Sequence, residues 1–201
     1  VLDRAAIRLL QPIMQRGARG LHRAGVGADA VTWGGFAIGI GAAAAIAGGA
    51  YRLGLGLTLV SRLCDGLDGA LARLTQPTDR GAFLDIALDF LFYASIPLAF
   101  AIASPADRAL PATVLLAAFI GTGSSFLAYA VFAERRGLHS EDYPNKGLYF
   151  LGGFTEASET LICFALMCLF PAWFAPLAYG FAVLCALTIV TRIAAGWRTL
   201  D

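Results

Sequence analysis

Charged residues are scarce in this chain. Asp, Glu, Lys and Arg make up 14% of the 201 residues, against 58% hydrophobic ones, and the mean hydropathy is +0.70. That scarcity excludes an ordinary soluble domain and points to an all-α protein that crosses a membrane several times. An excess of one sign is missing too: a net charge of +1 offers no bulk attraction for nucleic acid. Thiol chemistry is also lacking. Cys64, Cys163, Cys168 and Cys185 form no Cys-x-x-Cys pair, have no His at ligand spacing and sit in apolar segments, where Cys serves as a small hydrophobe. The first segment has Arg4, Arg8, Arg16 and Arg19 but no long apolar run, so it does not read as a signal peptide.

What remains is a succession of apolar runs. Residues 2–20 set Leu2, Ala6, Leu9, Leu10, Ile13 and Met14 on one side and arginines on the other, the pattern of an amphipathic helix in the membrane interface. Spans are expected at about 30–50, 53–74, 82–103, 109–133, 147–170 and 172–195, each near the ~20 residues a bilayer core requires. Residues 1–22 therefore read as a juxtamembrane helix and 23–201 as one six-span domain. An even number of spans puts both ends on one side. That side would carry Arg4, Arg8, Arg16, Arg19, Arg23, Arg73, Arg80, Arg135, Arg136, Lys146, Arg192 and Arg198, leaving Arg52 and Arg108 opposite and Arg62 inside the second span. This bias faces the termini and the 74–82 loop to the cytoplasm. Gly34, Gly35, Gly39, Gly41, Gly48 and Gly49 along the first span allow close helix approach.

Against this background the acids stand out. The second span ends Cys64-Asp65-Gly66-Leu67-Asp68-Gly69-Ala70-Leu71-Ala72-Arg73, and the third begins with Gly81, Asp85 and Asp89. An Asp at the middle of a spanning helix costs roughly 2.5–3.5 kcal/mol on insertion scales, so four together imply a task. Asp65 and Asp68 (i, i+3) share one helix face with Ala72, and Asp85 and Asp89 (i, i+4) share another. Side by side, the two helices would bring all four acids together. Four carboxylates cannot stay ionised without a strong counter-charge, and a divalent metal is the natural one. All-oxygen ligation favours Mg²⁺ or Mn²⁺ over zinc. A calcium loop is excluded, because the later EF-hand ligand positions and the closing Glu are absent.

The pattern Asp65-x-x-Asp68-Gly69-x-x-Ala72-Arg73, then Gly81-x-x-x-Asp85-x-x-x-Asp89, resembles the signature of the CDP-alcohol phosphotransferase family of integral membrane enzymes. The overall plan, an interfacial helix followed by six spans, is similar as well. Two features depart from the family pattern. Seven residues separate Arg73 from Gly81, one fewer than is commonest, in a segment that Pro77 marks as a loop. Ala28-Asp29-Ala30-Val31-Thr32 stands where members often carry Pro-Asn-x-x-Thr, so Thr32 fits and Asp29 does not.

The resemblance implies transfer of a substituted phosphate from a CDP-linked donor to an alcohol, with release of CMP and two divalent ions as cofactor. It implies Asp65, Asp68 and Asp85 as metal ligands, and Asp89 as general base that also touches the second metal. Thr32, Gly66, Gly69, Ala72, Arg73 and Gly81 would receive the nucleotide and its phosphates, the small residues by lack of bulk and Arg73 by its planar fork. A chain of this size resembles the phosphatidyltransferase branch, which implies CDP-diacylglycerol as donor and a bacterial inner membrane as location. The reverse arrangement, CDP-choline or CDP-ethanolamine given to diacylglycerol, uses the same motif. A homodimer is implied by the family plan. A transporter with a carboxylate relay would also bury acids, but it needs no Ala-Arg or Gly at fixed offsets, and no internal repeat is evident. A degenerate, non-catalytic relative is disfavoured, since all four acids are intact. For the acceptor, Arg135, Arg136 and Lys146 suit a phosphate or carboxylate, while Glu156 and Glu159 (i, i+3) suit hydroxyls, an amine or a pairing with Arg192.

Overall fold

The computed structural model describes residues 2–137 and 155–200, with side chains from Gln11 onward. Among the described residues every regular element is helical: α1 (Leu2–Arg23), α2 (Ala28–Ala47), α3 (Tyr51–Leu74), α4 (Asp79–Ala103), α5 (Pro105–Arg135), α6 (Ala157–Leu169) and α7 (Phe174–Thr199), the last preceded by a single 3-10 turn at Pro171–Trp173. Among the described residues four segments, α2, α4, α5 and the run Pro171–Thr199, are long and apolar enough to cross a membrane. α3 has the length, at 24 residues, but Arg52, Arg62, Asp65, Asp68 and Arg73 set its composition apart. Large apolar side chains such as Phe83, Ile120, Val190 and Trp197 point outward, as lipid-facing residues do.

Local chemistry sets the helix ends. Gly25 and Gly49, with φ of 75° and 80°, make the left-handed turns after α1 and α2 that other residues adopt at a steric cost. Thr78 caps α4, its Oγ1 accepting from Gly81 N at 3.1 Å, with Asp79 in the first turn favoured by the helix dipole. Pro105 opens α5, where its missing N–H costs nothing.

The expected 147–170 span is corrected at its start. The helix begins at Ala157, Glu156 is its N-cap, and 147–154 lie outside the described residues. Glu156 and Glu159 form a capping box, in which Glu156 N donates to Glu159 Oε2 at 3.2 Å. They stand at a helix entrance, then, and not in mid-span.

The core is aromatic and lies between α4, α5, α6 and α7. Phe92, Phe100, Phe164 and Phe174 are fully buried there, with the Phe100 and Phe174 rings stacked at 4.6 Å. Arg108 ties one end together, donating to the Tyr51 hydroxyl at 2.6 Å and to Pro171 O at 3.1 Å. α1 lies on a separate small cluster, Ala18 against Ala70 and Leu71. Most important for the site, α2 crosses α3 and α4 closely. A methyl group on Gly35 would come 2.8 Å from Cys64 Cβ, and one on Gly39 would come 2.7 Å from the Phe92 ring. Ser61 Oγ donates to Gly35 O at 2.7 Å, a buried link from helix to helix. Such a bond is worth about 1 kcal/mol net, and it fixes the register of α3 one turn before Asp65.

Candidate active site

One cleft lies among α2, α3 and α4. Thr32, Gly35 and Phe36 line it from α2, Ser61, Arg62, Asp65 and Asp68 from α3, and Asp85, Leu88 and Asp89 from α4. The helical spacing read from sequence explains the gathering. Ser61, Asp65 and Asp68 follow one face of α3, while Asp85, Leu88 and Asp89 follow one face of α4. All four motif aspartates thus share the cleft. Asp68 is its most buried acid, at 5% exposure, and the Thr32 side chain lies against its carboxylate.

Sequence reasoning missed the cation among these acids. Arg62 Nη1 donates to Asp65 Oδ1 at 3.3 Å and also to Asp89 Oδ1, so one guanidinium joins α3 to α4. Its carbon lies 3.9 Å from the centroid of the Phe92 ring, a cation–π seat that holds it in place. The signal was present: an Arg three residues before Asp65, in an otherwise apolar stretch, has few partners other than an acid.

Asp29 has a role of another kind. It pairs with the exposed Arg80, and its Oδ1 would lie 3.4 Å from a methyl group placed on Gly81, so it links the start of α2 to the start of α4.

The remaining expected residues lie outside the cleft lining. Gly66 faces α1, where an added methyl group would sit 3.4 Å from Met14 Sδ, and Gly69 faces the guanidinium of Arg73 in the last turn of α3. Ala72 is half-buried one turn beyond Asp68, and Gly81 is the third residue of α4. Arg135 and Arg136 are exposed at the end of α5, with Arg135 above the Phe132 ring. Lys146 lies outside the described residues. Glu156 is within electrostatic reach of Arg192, a buried arginine of α7 that donates to Thr122 O at 3.1 Å.

Among the described residues no three His, Cys, Asp or Glu side chains sit close enough together to grip one ion. The donor set nonetheless fits a divalent cation. It is all carboxylate, and Asp68 Oδ2 is buried with no hydrogen-bond partner, a costly condition that a metal would relieve. One guanidinium also offsets only one of the four acid charges in the cleft.

The comparisons with known proteins bear on the whole chain. The inner membrane protein YnjF of Escherichia coli K12 is 48% identical over 200 residues, covering 100% of this chain and 97% of its own. Two structures of Mycobacterium tuberculosis phosphatidylinositol phosphate synthase (PgsA1) match with a TM-score of 0.69 and 25% identity over 92% of this chain. One, with CDP-DAG bound, is covered to 94%, and the other, in complex with manganese and citrate, to 88%. The family model for CDP-alcohol phosphatidyltransferase matches residues 26–194, from just before α2 to the last turns of α7, and the chain belongs to that family.

Proposed function

We propose that the protein transfers a phosphatidyl group from CDP-diacylglycerol to a small polar alcohol, releasing CMP, with two divalent ions held by the aspartate cleft. The observation that carries this reading is the meeting of Asp65, Asp68, Asp85 and Asp89 in one cleft beside Thr32, with an unpartnered oxygen on the most buried of them. The PgsA1 structures, one with CDP-DAG and one with manganese, support the donor and the metal.

Asp65, Asp68 and Asp85 would hold Mg²⁺ or Mn²⁺, with Asp89 touching the second ion. When bound, the ions supply the positive charge that admits a pyrophosphate among carboxylates and stabilises the departing CMP. Asp89 accepts the proton of the acceptor hydroxyl. The hydroxyl oxygen then bonds to the lipid-bearing phosphorus, and the bond from that phosphorus to the bridging oxygen breaks, its electron pair leaving with CMP. An Asp is a weak base for an alcohol, and the positive charge that bound ions would supply narrows the gap. Thr32 and the low-bulk Gly69, Ala72 and Gly81 leave room for the nucleotide along bare backbone, while Gly66 makes room for α1 against α3, and Arg73 pairs with phosphate. Arg135, Arg136 and Lys146, with Glu156 and Glu159, serve the acceptor. Six spans, including α3 and the α6 region, with α1 in the interface and the cleft facing the cytoplasm of a bacterial inner membrane, complete the reading. A homodimer is part of it, to be checked by cross-linking in liposomes.

The test is CMP release by purified protein in liposomes containing CDP-diacylglycerol, with Mn²⁺ or Mg²⁺ and with glycerol 3-phosphate, serine, inositol or inositol phosphate in turn. Metal-dependent release with one acceptor is expected. Binding of CDP-diacylglycerol without release would point to the reversed donor arrangement or another alcohol. Absence of binding would refute the phosphotransferase reading and favour a transporter.

A further inference from the structure

Arg62 belongs to no position of the aspartate motif, yet it stands among the motif's acids. Its Nη1 is shared between Asp65 and Asp89, on two different helices. Its Nη2 approaches Ser61 Oγ at 3.4 Å, and the Phe92 and Tyr93 rings flank the guanidinium at 3.9 and 5.6 Å. This seat is only partly satisfied. Arg62 Nε is buried with no acceptor, while Asp68 Oδ2, in the same cleft, is buried with no donor. A guanidinium has a fixed fork and one charge, and from this seat it cannot serve the second face of the cleft. The carboxylate oxygens it does serve belong to the set assigned above to divalent ions.

We propose that Arg62 and divalent metal are alternative counter-charges for the same carboxylates: the guanidinium bridging Asp65 and Asp89 must leave them for the ions to load. This inference rests on the metal-dependent reading above. It gives Arg62 two effects. The bridge ties α3 to α4, so it stabilises the protein in the absence of metal. It also engages Asp89, so the proposed base is released only as metal enters. The site would then switch on with metal occupancy, and the metal affinity would be set lower than the four acids alone would give.

The experiment uses the full chain in detergent, with Mn²⁺ itself as the probe. Binding is read from the loss of the free-ion paramagnetic resonance signal, and stability from thermal unfolding in EDTA and in Mn²⁺. Arg62→Gln is expected to bind Mn²⁺ at least about tenfold more tightly, because a competing cation has gone. It is expected to unfold at lower temperature than wild type in EDTA, with the deficit removed by Mn²⁺. Arg62→Lys, which keeps the charge but not the fork, should restore much of the EDTA stability. A readout on the unaltered protein covers the case in which these variants fail to fold. Phenylglyoxal modification of Arg62, followed by peptide mass spectrometry, should be slow in EDTA and faster in Mn²⁺. Unchanged or weaker Mn²⁺ binding by Arg62→Gln, or labelling of Arg62 indifferent to Mn²⁺, overturns the proposal. Asp68→Asn separates the two levels of the argument. If it abolishes Mn²⁺ binding while Arg62→Gln leaves affinity unchanged, the inference fails alone. If wild type binds no Mn²⁺ at all, the metal reading fails and takes the inference with it.

Discussion

Gly39 offers a test in which the sign of the effect is decided by geometry. In an unobstructed helix, Gly→Ala is favourable by about 0.8–1 kcal/mol. At Gly39 the new methyl group would stand 2.7 Å from Phe92 Cδ2 and 2.9 Å from Ser61 Oγ, both fixed, since Phe92 and Ser61 are fully buried. Relief requires α2 to move away from α3 and α4, and overpacking of this kind costs typically about 1–3 kcal/mol. The net expectation for Gly39→Ala is a destabilisation of up to about 2 kcal/mol. Gly34, in the same helix, has nothing within 4 Å of the added atom, so Gly34→Ala should be stabilised by up to about 1 kcal/mol. The two variants should therefore differ by about 1–3 kcal/mol, roughly 5- to 150-fold in the folding equilibrium. Unfolding in detergent followed by tryptophan fluorescence measures the difference, and CMP release measures its consequence. Gly39→Ala should lose turnover as well, because the same displacement carries Thr32 away from Asp68. Equal stability of the two variants would refute the close crossing of α2 over the site.

Other predictions concern the chemistry. Asp68→Asn should reduce CMP release to background by removing a metal ligand, while Asp89→Asn should remove turnover and keep CDP-diacylglycerol binding; substantial turnover in either breaks the assignment. Replacing Glu156 and Glu159 together with Gln keeps a capping-box side chain at the third position but removes the Glu156 charge near the buried Arg192, so a moderate loss of stability is expected. A raised acceptor KM in that variant would put them in the acceptor pocket, and unchanged KM and kcat would leave them as caps alone. Activity should fall on the acid side, where protons compete with metal for the carboxylates. Raising Mn²⁺ should move that limb to lower pH; a limb insensitive to Mn²⁺ would contradict the competition.

The parts of the fold that could be read from sequence are those set by local rules. Apolar runs marked α2, α4, α5 and α7 within a few residues, because lipid imposes one long helix per run. The four acids were legible for the same reason: their burial cost makes them conspicuous, and the 3.6-residue period places them on common faces. What escaped was pairwise. Arg62 looked like an arginine merely inside a span, since its partner Asp89 is 27 residues away on another helix. Glu156 looked like a buried acid because a capping box is usually opened by Ser, Thr, Asp or Asn. Glycines were legible as small but not by destination. Gly35 and Gly39 admit α3 and α4 to α2, whereas Gly66 lies under α1. Sequence alone does not say which neighbour claims the space.

The central claim is that four aspartates on α3 and α4 form a metal-dependent phosphotransfer site. Its most direct test is CMP release from CDP-diacylglycerol in liposomes, measured for wild type and Asp68→Asn with Mn²⁺ and with EDTA. The account predicts release by wild type with Mn²⁺ and one of the alcohols, and none in the other three conditions. Release that persists in EDTA, or in Asp68→Asn, would contradict it.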